Sequence, residues 1–236
     1  MKIRYKRLSL LFTFCFLFLS FASNSKANIV PNAIIVDFKS GEARQKNIEI
    51  HNTSDEITYM DLDFKEVLNP GTKKEKRVSL NKKNSKLIIT PNRTSLKPKK
   101  KKVLRFISTE KNLGKDSIYR VALLPKVRGV KGEKGAIGIK ILVGYEILVI
   151  VRPKITNFDL KVNRSSNKKT LTFKNNGNTN VLLNKVSQCN KKGEDCRNLA
   201  YKRLYAGNEL KISLPHGETP VTCEIYYADK TEKKVF

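Results

Sequence analysis

The densest hydrophobic pattern in the chain occupies residues 137–152, IGIKILVGYEILVIVR. Its odd positions, Ile137, Ile139, Ile141, Val143, Tyr145, Ile147, Val149 and Val151, are all β-branched or aromatic. A period of two places them on one face of a strand, with Lys140, Glu146 and Arg152 on the other. Fifteen steps at about 3.3 Å span roughly 50 Å, two to three times an ordinary strand. The pattern therefore predicts a strand that outruns its own domain and offers an unpaired apolar edge. Proteins normally suppress such edges, so one kept this apolar points to a strand lent to another molecule. The plainer assignment is this domain's own core, which the C-terminal half of the run fills.

Strand-like runs precede it at 33–38, 46–51, 58–67, 85–90, 102–108 and 119–124, separated by Ser40-Gly41, 52–55, Asn69-Pro70-Gly71 and Pro91-Asn92. Arg152-Pro153 closes the set, since proline cannot donate to a ladder. Further runs follow at 158–162, 170–174, 180–188, 209–214 and 221–227, divided by 175–177, 206–208 and His216-Gly217. Short strands at this spacing, with no helical period beyond the first residues, predict an all-β protein of two immunoglobulin-like β-sandwiches. We place the first at 28–153 and the second at 154–236.

The N-terminus has a different pattern. Lys2, Arg4, Lys6 and Arg7 lead into a largely apolar segment of 14 residues, 8–21, followed by Ser25-Lys26-Ala27. The apolar stretch is short for a membrane span and suits a secretory signal cleaved before Asn28. Cys15 lies inside it and is followed by Phe16 and Leu17, unlike a lipoprotein cysteine. Residues 1–27 thus read as a signal peptide, with an uncleaved membrane anchor as the alternative, and no membrane insertion is expected after cleavage.

This route changes how the charge is read. The chain has 48 basic and 21 acidic residues, of which the signal removes five and none, leaving +22. In a cytosolic protein such a charge points to nucleic acid. Export argues against that, as does the lack of a zinc motif or an aromatic-interleaved basic helix. The only tight basic block, Lys99 to Lys102, follows Pro98 and reads as a turn feeding a strand. Diffuse binding to anionic envelope polymers is the charge-based alternative, and salt would weaken it.

Three cysteines remain: Cys189, Cys196 and Cys223. An oxidising compartment favours a disulfide. Cys189 and Cys196 flank a polar, glycine-containing turn and can face each other across a hairpin, leaving Cys223 as a buried thiol. Pairing of Cys223 with either of the others stays open. With His51 and His216 far apart there is no metal-ligand set, and with no nucleophile elbow or phosphate loop there is no catalytic set. An enzyme and a cofactor are therefore not expected.

Several pieces in order carry a resemblance: Ile48-Glu49-Ile50-His51-Asn52, Leu87-Ile88-Ile89-Thr90-Pro91-Asn92, Leu96-Lys97-Pro98 with Val103-Leu104-Arg105-Phe106, Tyr119-Arg120-Val121-Ala122-Leu123-Leu124-Pro125, and Val149-Ile150-Val151-Arg152-Pro153. Over about 120 residues they resemble the N-terminal domain of the PapD-like periplasmic pilus-assembly chaperones. The second half matches more loosely, through 175–178 and 204–207. The resemblance implies two sandwiches set in an L. It implies a periplasmic protein whose partners are pilin or fimbrial subunits and an outer-membrane usher. It also implies that Ile139, Ile141 and Val143 are the side chains lent to a subunit's open groove. By the same resemblance Arg152 is a buried interdomain arginine with acidic partners, for which Asp116 and Glu218 are the candidates. One departure stands out. Where the family carries an arginine and a lysine to hold a subunit's C-terminal carboxylate, this chain has Ile34 or Ile35 and Leu148. Lys140, Arg120 and Lys154 are the candidate substitutes. The competing class is a secreted adhesin or envelope-binding sandwich.

Overall fold

Alternating runs become strands almost wherever they occur. The computed structural model describes residues 29–80, 85–126 and 142–236, and among these there is no helix. In chain order the strands are β1 (Ile29–Pro31), β2 (Ile35–Phe38), β3 (Gln45–Asn52), β4 (Thr58–Leu68), β5 (Lys76–Ser79), β6 (Leu87–Thr90), β7 (Arg93–Leu96), β8 (Lys101–Ser108), β9 (Ser117–Lys126) and β10 (Tyr145–Val151). They continue with β11 (Leu160–Arg164), β12 (Thr170–Asn175), β13 (Val181–Cys189), β14 (Cys196–Leu204), β15 (Glu209–Ser213), β16 (Val221–Tyr227) and β17 (Lys230–Val235).

The first ten strands form two sheets, ordered β1-β3-β8-β6 and β2-β10-β9-β4-β5, with β7 also paired to β4. Their inner faces close on one core that includes Phe38, Ile50, Leu104, Phe106, Val121, Ile147 and Val149. The last seven form sheets β11-β12-β15 and β14-β13-β16-β17 around a second core that includes Phe173, Leu183, Val186, Val221 and Ile225. The fold is all-β, as the alternation predicts.

Five strands lack the expected signal: β1, β5, β7, β14 and β17. Four of them, β1, β5, β14 and β17, are sheet edges. Edges avoid apolar faces because an unpaired apolar strand recruits other chains. Accordingly β5 and β17 are exposed on both faces, and β14 turns Arg197, Asn198, Tyr201 and Lys202 to solvent.

Each sandwich ties a loop with a buried asparagine. Asn52 Nδ2 donates to Glu56 O (2.7 Å) and Leu96 O (3.0 Å). In the second unit Asn175 Nδ2 donates to Thr179 O (2.8 Å) and Leu204 O (3.0 Å), while its Oδ1 accepts from Gly177 N. Buried carbonyls that miss their ladder need such partners.

Candidate functional site

Strand β10 is central in its sheet. It pairs antiparallel with β9 over seven residue pairs, Tyr145 to Val151, and parallel with β2 through Leu148↔Ile35 to Val151↔Phe38. The parallel pairing joins residues more than a hundred apart and leaves no trace in the local pattern. Ile147, Val149 and Val151 point into the first core, as the alternation requires. The opposite face is not free at this end. Leu148 and Ile150 pack with Val67, Ile118 and Tyr205 of the second unit, so β10 is apolar on both sides where the two units meet.

At its other end the strand stops short of the long ribbon read from the sequence. Residues 142–144 are extended chain outside any ladder, and Val143 is 38% exposed. Gly144 is confined, since a Cβ there would lie 3.0 Å from Leu123 O. Of the three side chains assigned to lending, Val143 is thus at the open end of β10. Ile139 and Ile141, with Lys140, lie outside the described residues.

The two positions where the family's cations would stand are neighbours. Leu148 faces Ile35 in the ladder, and Leu148 N donates to Ile34 O (2.9 Å). Ile34 and Ile35 are 57% and 45% exposed. Beside them on β9, directly opposite Leu148, is Arg120. Its Nη1 lies 3.7 Å from Glu146 Oε2, and Arg77 Nη1 contacts Glu146 Oε1 at 2.7 Å. Arg120 is therefore a partly exposed cation next to an apolar step, sharing one carboxylate with Arg77. Lys154 is exposed beyond Pro153, with its carbonyl bonded by Ser40 Oγ.

Arg152 is buried, at 2% exposure. Its fork meets Asp37 through Nε to Oδ1 and Nη2 to Oδ2, both 2.9 Å, and Nη1 donates to Thr179 Oγ1 and Asn180 O. Arg44 Nη2 donates to the Arg152 carbonyl (3.0 Å). The carboxylate on this guanidinium is therefore Asp37, which the sequence pattern does not reveal. It faces outward between Val36 and Phe38, opposite Ile150. Asp116 belongs to the same junction. Its Oδ2 accepts from Asn180 N (2.7 Å) and Nδ2 (2.5 Å), and its own N–H donates to Asn178 O (3.1 Å). Burial raises the Asp116 pKa, against the lowering effect of the Asn180 bonds and the Arg152 charge. Glu218 is not brought here. It is exposed and lines a surface cavity with Cys189 and Thr219, beside the β13–β14 hairpin.

Cys189 and Cys196 oppose each other in the β13–β14 ladder and are joined in a disulfide. Cys223 is a free thiol inside the second core, and burial pushes it up to about 11. No group of acidic, histidine and cysteine side chains among the described residues could hold a metal.

Two sandwiches, an apolar strand buried on both faces and a buried arginine at their junction are the features to set against known proteins. Residues 28–157 match the profile of the pili and flagellar-assembly chaperone, PapD N-terminal domain. The chain belongs to that chaperone family. It is 30% identical over 195 residues to a CS1 fimbrial subunit of Escherichia coli, covering 79% of this chain and 80% of that one. It is 28% identical over 193 residues to a CFA/I fimbrial subunit of Escherichia coli, covering 78% and 79%. Among solved structures it is similar to the class 5 fimbriae chaperone CfaA, with a TM-score of 0.65 and 23% identity over 89% of this chain and 98% of that chain. It is also similar to a complex of Salmonella enterica SafA pilin with the SafB chaperone, with a TM-score of 0.61 and 13% identity over 91% and 98%. These likenesses carry the two-domain fold of the family across both sandwiches. In this chaperone both acids beside Arg152, Asp37 and Asp116, come from the first sandwich. The second contributes the neutral Thr179 and Asn180.

Proposed function

We propose that this chaperone is exported to the periplasm, binds fimbrial subunits there by lending the apolar segment 139–143, and delivers them to an outer-membrane usher. The observation that carries the reading is the division of one alternating ribbon. Its C-terminal half is locked in the core through Ile147, Val149 and Val151, while Val143 stands exposed at the free end. Family membership supports the same reading, as do solved relatives described as chaperones in complex with a pilin or a tip adhesin. Strand addition draws affinity from backbone hydrogen bonds and selectivity from alternate side-chain pockets. Burying Ile139, Ile141 and Val143 in a client contributes about 1.5–3 kcal/mol each.

The client's terminal carboxylate needs a charged or backbone partner once buried. Of the three candidate cations, Arg120 is best placed, opposite Leu148 and beside the exposed Ile35. Lys154 is past Pro153 at the junction end of the strand. The interdomain bridge in this reading is Arg152, held by Asp37 and reaching Thr179 and Asn180 of the second sandwich, with Asp116 beside it. Function by binding needs no cofactor.

The test is co-expression of the secreted chaperone with a fimbrial subunit, followed by copurification. Ile141→Asp with Val143→Asp should abolish subunit recovery while far-UV circular dichroism stays unchanged. Arg120→Ala should reduce it at least tenfold. Undiminished recovery with the aspartate pair would refute strand lending.

A further inference from the structure

A groove runs along the junction of the two sandwiches, at the end of β10 away from Val143. Its first part, a cavity of about 720 Å³, has Val67, Leu68, Leu113 and Ile118 among its walls. Its second part, about 380 Å³, is rimmed by Lys73, Lys74 and Lys115 with the amide of Asn208. Asn69, Pro70 and Lys115 line both, so the two parts are one continuous depression. No acidic side chain lines the second part. Glu66 and Asp116 line the first, where Asp116 is engaged by Asn180.

The walls are fixed before anything binds. The turn after β4 is held to the second sandwich by Asn208 Nδ2 donating to Pro70 O (2.7 Å). Gly71, at φ +73, lies so close to the Tyr205 ring that a Cβ would come within 3.0 Å of it. Lys73, Lys74 and Lys115 have no carboxylate partner among the described residues, unlike Lys101 with Glu49, Lys126 with Asp61 and Lys185 with Glu224. Three unneutralised cations around one concavity reinforce each other's field and favour an anion there. The adjoining part adds apolar walls from Val67, Leu68, Leu113 and Ile118, of which Leu68 is 41% exposed.

We propose that this groove docks an extended acidic segment of a protein partner, in which carboxylates alternate with large apolar side chains. A small anion would leave the apolar walls uncovered, and an apolar ligand would leave the lysines unpaired. A flat lipid surface does not enter a recess between two sandwiches. The groove is distinct from the surface proposed for subunits. Ser117 and Lys126 mark the two ends of β9, and nine steps at about 3.3 Å separate them by roughly 30 Å. The acidic segment can therefore dock while the open end of β10 is occupied.

The test uses the mature full-length protein and a fluorescein-labelled hexapeptide of alternating leucine and glutamate, read by anisotropy in 0.15 M salt. Lys73→Glu with Lys115→Glu should weaken binding at least tenfold, and the milder Lys73→Gln with Lys115→Gln several-fold. Leu68→Ser should weaken it several-fold. Lys191→Glu with Lys192→Glu, the same charge change on the distant β13–β14 turn, should alter it less than twofold. Ile141→Asp with Val143→Asp should leave it intact, which separates this surface from the lent strand. An equal loss in the Lys191/Lys192 variant would overturn the proposal in favour of diffuse charge. So would a glycine–glutamate hexapeptide binding as tightly, displacement by millimolar inorganic phosphate, or stronger binding to phosphatidylglycerol vesicles than to the peptide.

Discussion

Replacing Asp37 with alanine isolates the contact that holds Arg152 in place at the junction. The substitution removes both acceptors from the Arg152 fork and leaves a guanidinium that is 97% shielded in its side chain, given 3% exposure. Hydrogen bonds to charged groups contribute about 1.5–3 kcal/mol each, so the two 2.9 Å bonds set a range of about 3–6 kcal/mol. The Asp37 side chain is 22% exposed, so water reaching the vacated space recovers part of this. The expected loss is about 3 kcal/mol, at the lower end of the 3–5 kcal/mol for breaking a buried pair. The chain has no tryptophan, so urea unfolding is best followed by far-UV circular dichroism. With a slope of about 1–3 kcal/mol per molar urea, the midpoint of the first sandwich should fall by about 1–3 M. Asp37→Leu combined with Arg152→Met should recover most of the loss, because an apolar pair of similar volume leaves no stranded charge. Glu218→Gln should stay within about 0.5 kcal/mol of the parent. If Asp37→Ala unfolds no earlier than Glu218→Gln, the assignment of Asp37 as the partner of Arg152 is wrong.

Four further outcomes follow from the geometry. Burial raises the folded-state pKa of Asp116, so its contribution to stability is present at low pH and is lost as pH rises through that raised value. Asp116→Asn keeps an acceptor for Asn180, so its stability relative to the parent should grow with rising pH across that window in paired denaturation curves. Gly177→Ala should fail to give stable protein in an expression and melting screen, since the new Cβ would sit 2.3 Å from Asn157 O and 2.9 Å from Asp159 N. Cys189→Ser with Cys196→Ser, which opens a short loop of separation 7, should cost about 2.5 kcal/mol by the chain-entropy relation. Cys223 should remain unreactive to a thiol-labelling reagent until the second sandwich unfolds.

The alternation of 46–51, 58–67, 102–108 and 119–124 is enough to place β3, β4, β8 and β9 within a residue or two. Each presents one face to the core and one to solvent, and period two reports that division directly. The edges are illegible for the converse reason. Lys76-Arg77-Val78-Ser79 and the 230–235 hexamer bury neither face, so nothing in their pattern separates them from loop. At the junction, three neighbouring even positions, Leu148, Ile150 and Arg152, depart from the exposed Glu146 on the same face. All three are buried, because the second sandwich covers that end of the sheet. Arg152 itself is legible from the Arg-Pro boundary and the family resemblance. Asp37 is not, because it reaches Arg152 only through a parallel pairing of β2 with β10, and no local signal records such a pairing. Glu218 suits the role by charge and place in the chain, but the β15–β16 connection carries it to the far hairpin instead. Cys189 and Cys196 are legible because a hairpin is a local structure, whose register a short polar turn sets.

The way β10 is embedded has a mechanical consequence. A load applied at residue 144 runs parallel to the strand axis, so the bonds to β9 and β2 are sheared together and cannot open one after another. The plug of Leu148, Ile150 and Arg152 at the far end resists sliding in the same direction. Under the proposed strand lending, a client pulled along this axis would part from β10 before β10 parts from its own sheet. Extraction by force is the slow route. Under the same proposal, a competing strand that enters at residues 142–144, which lie outside any ladder, avoids that shear.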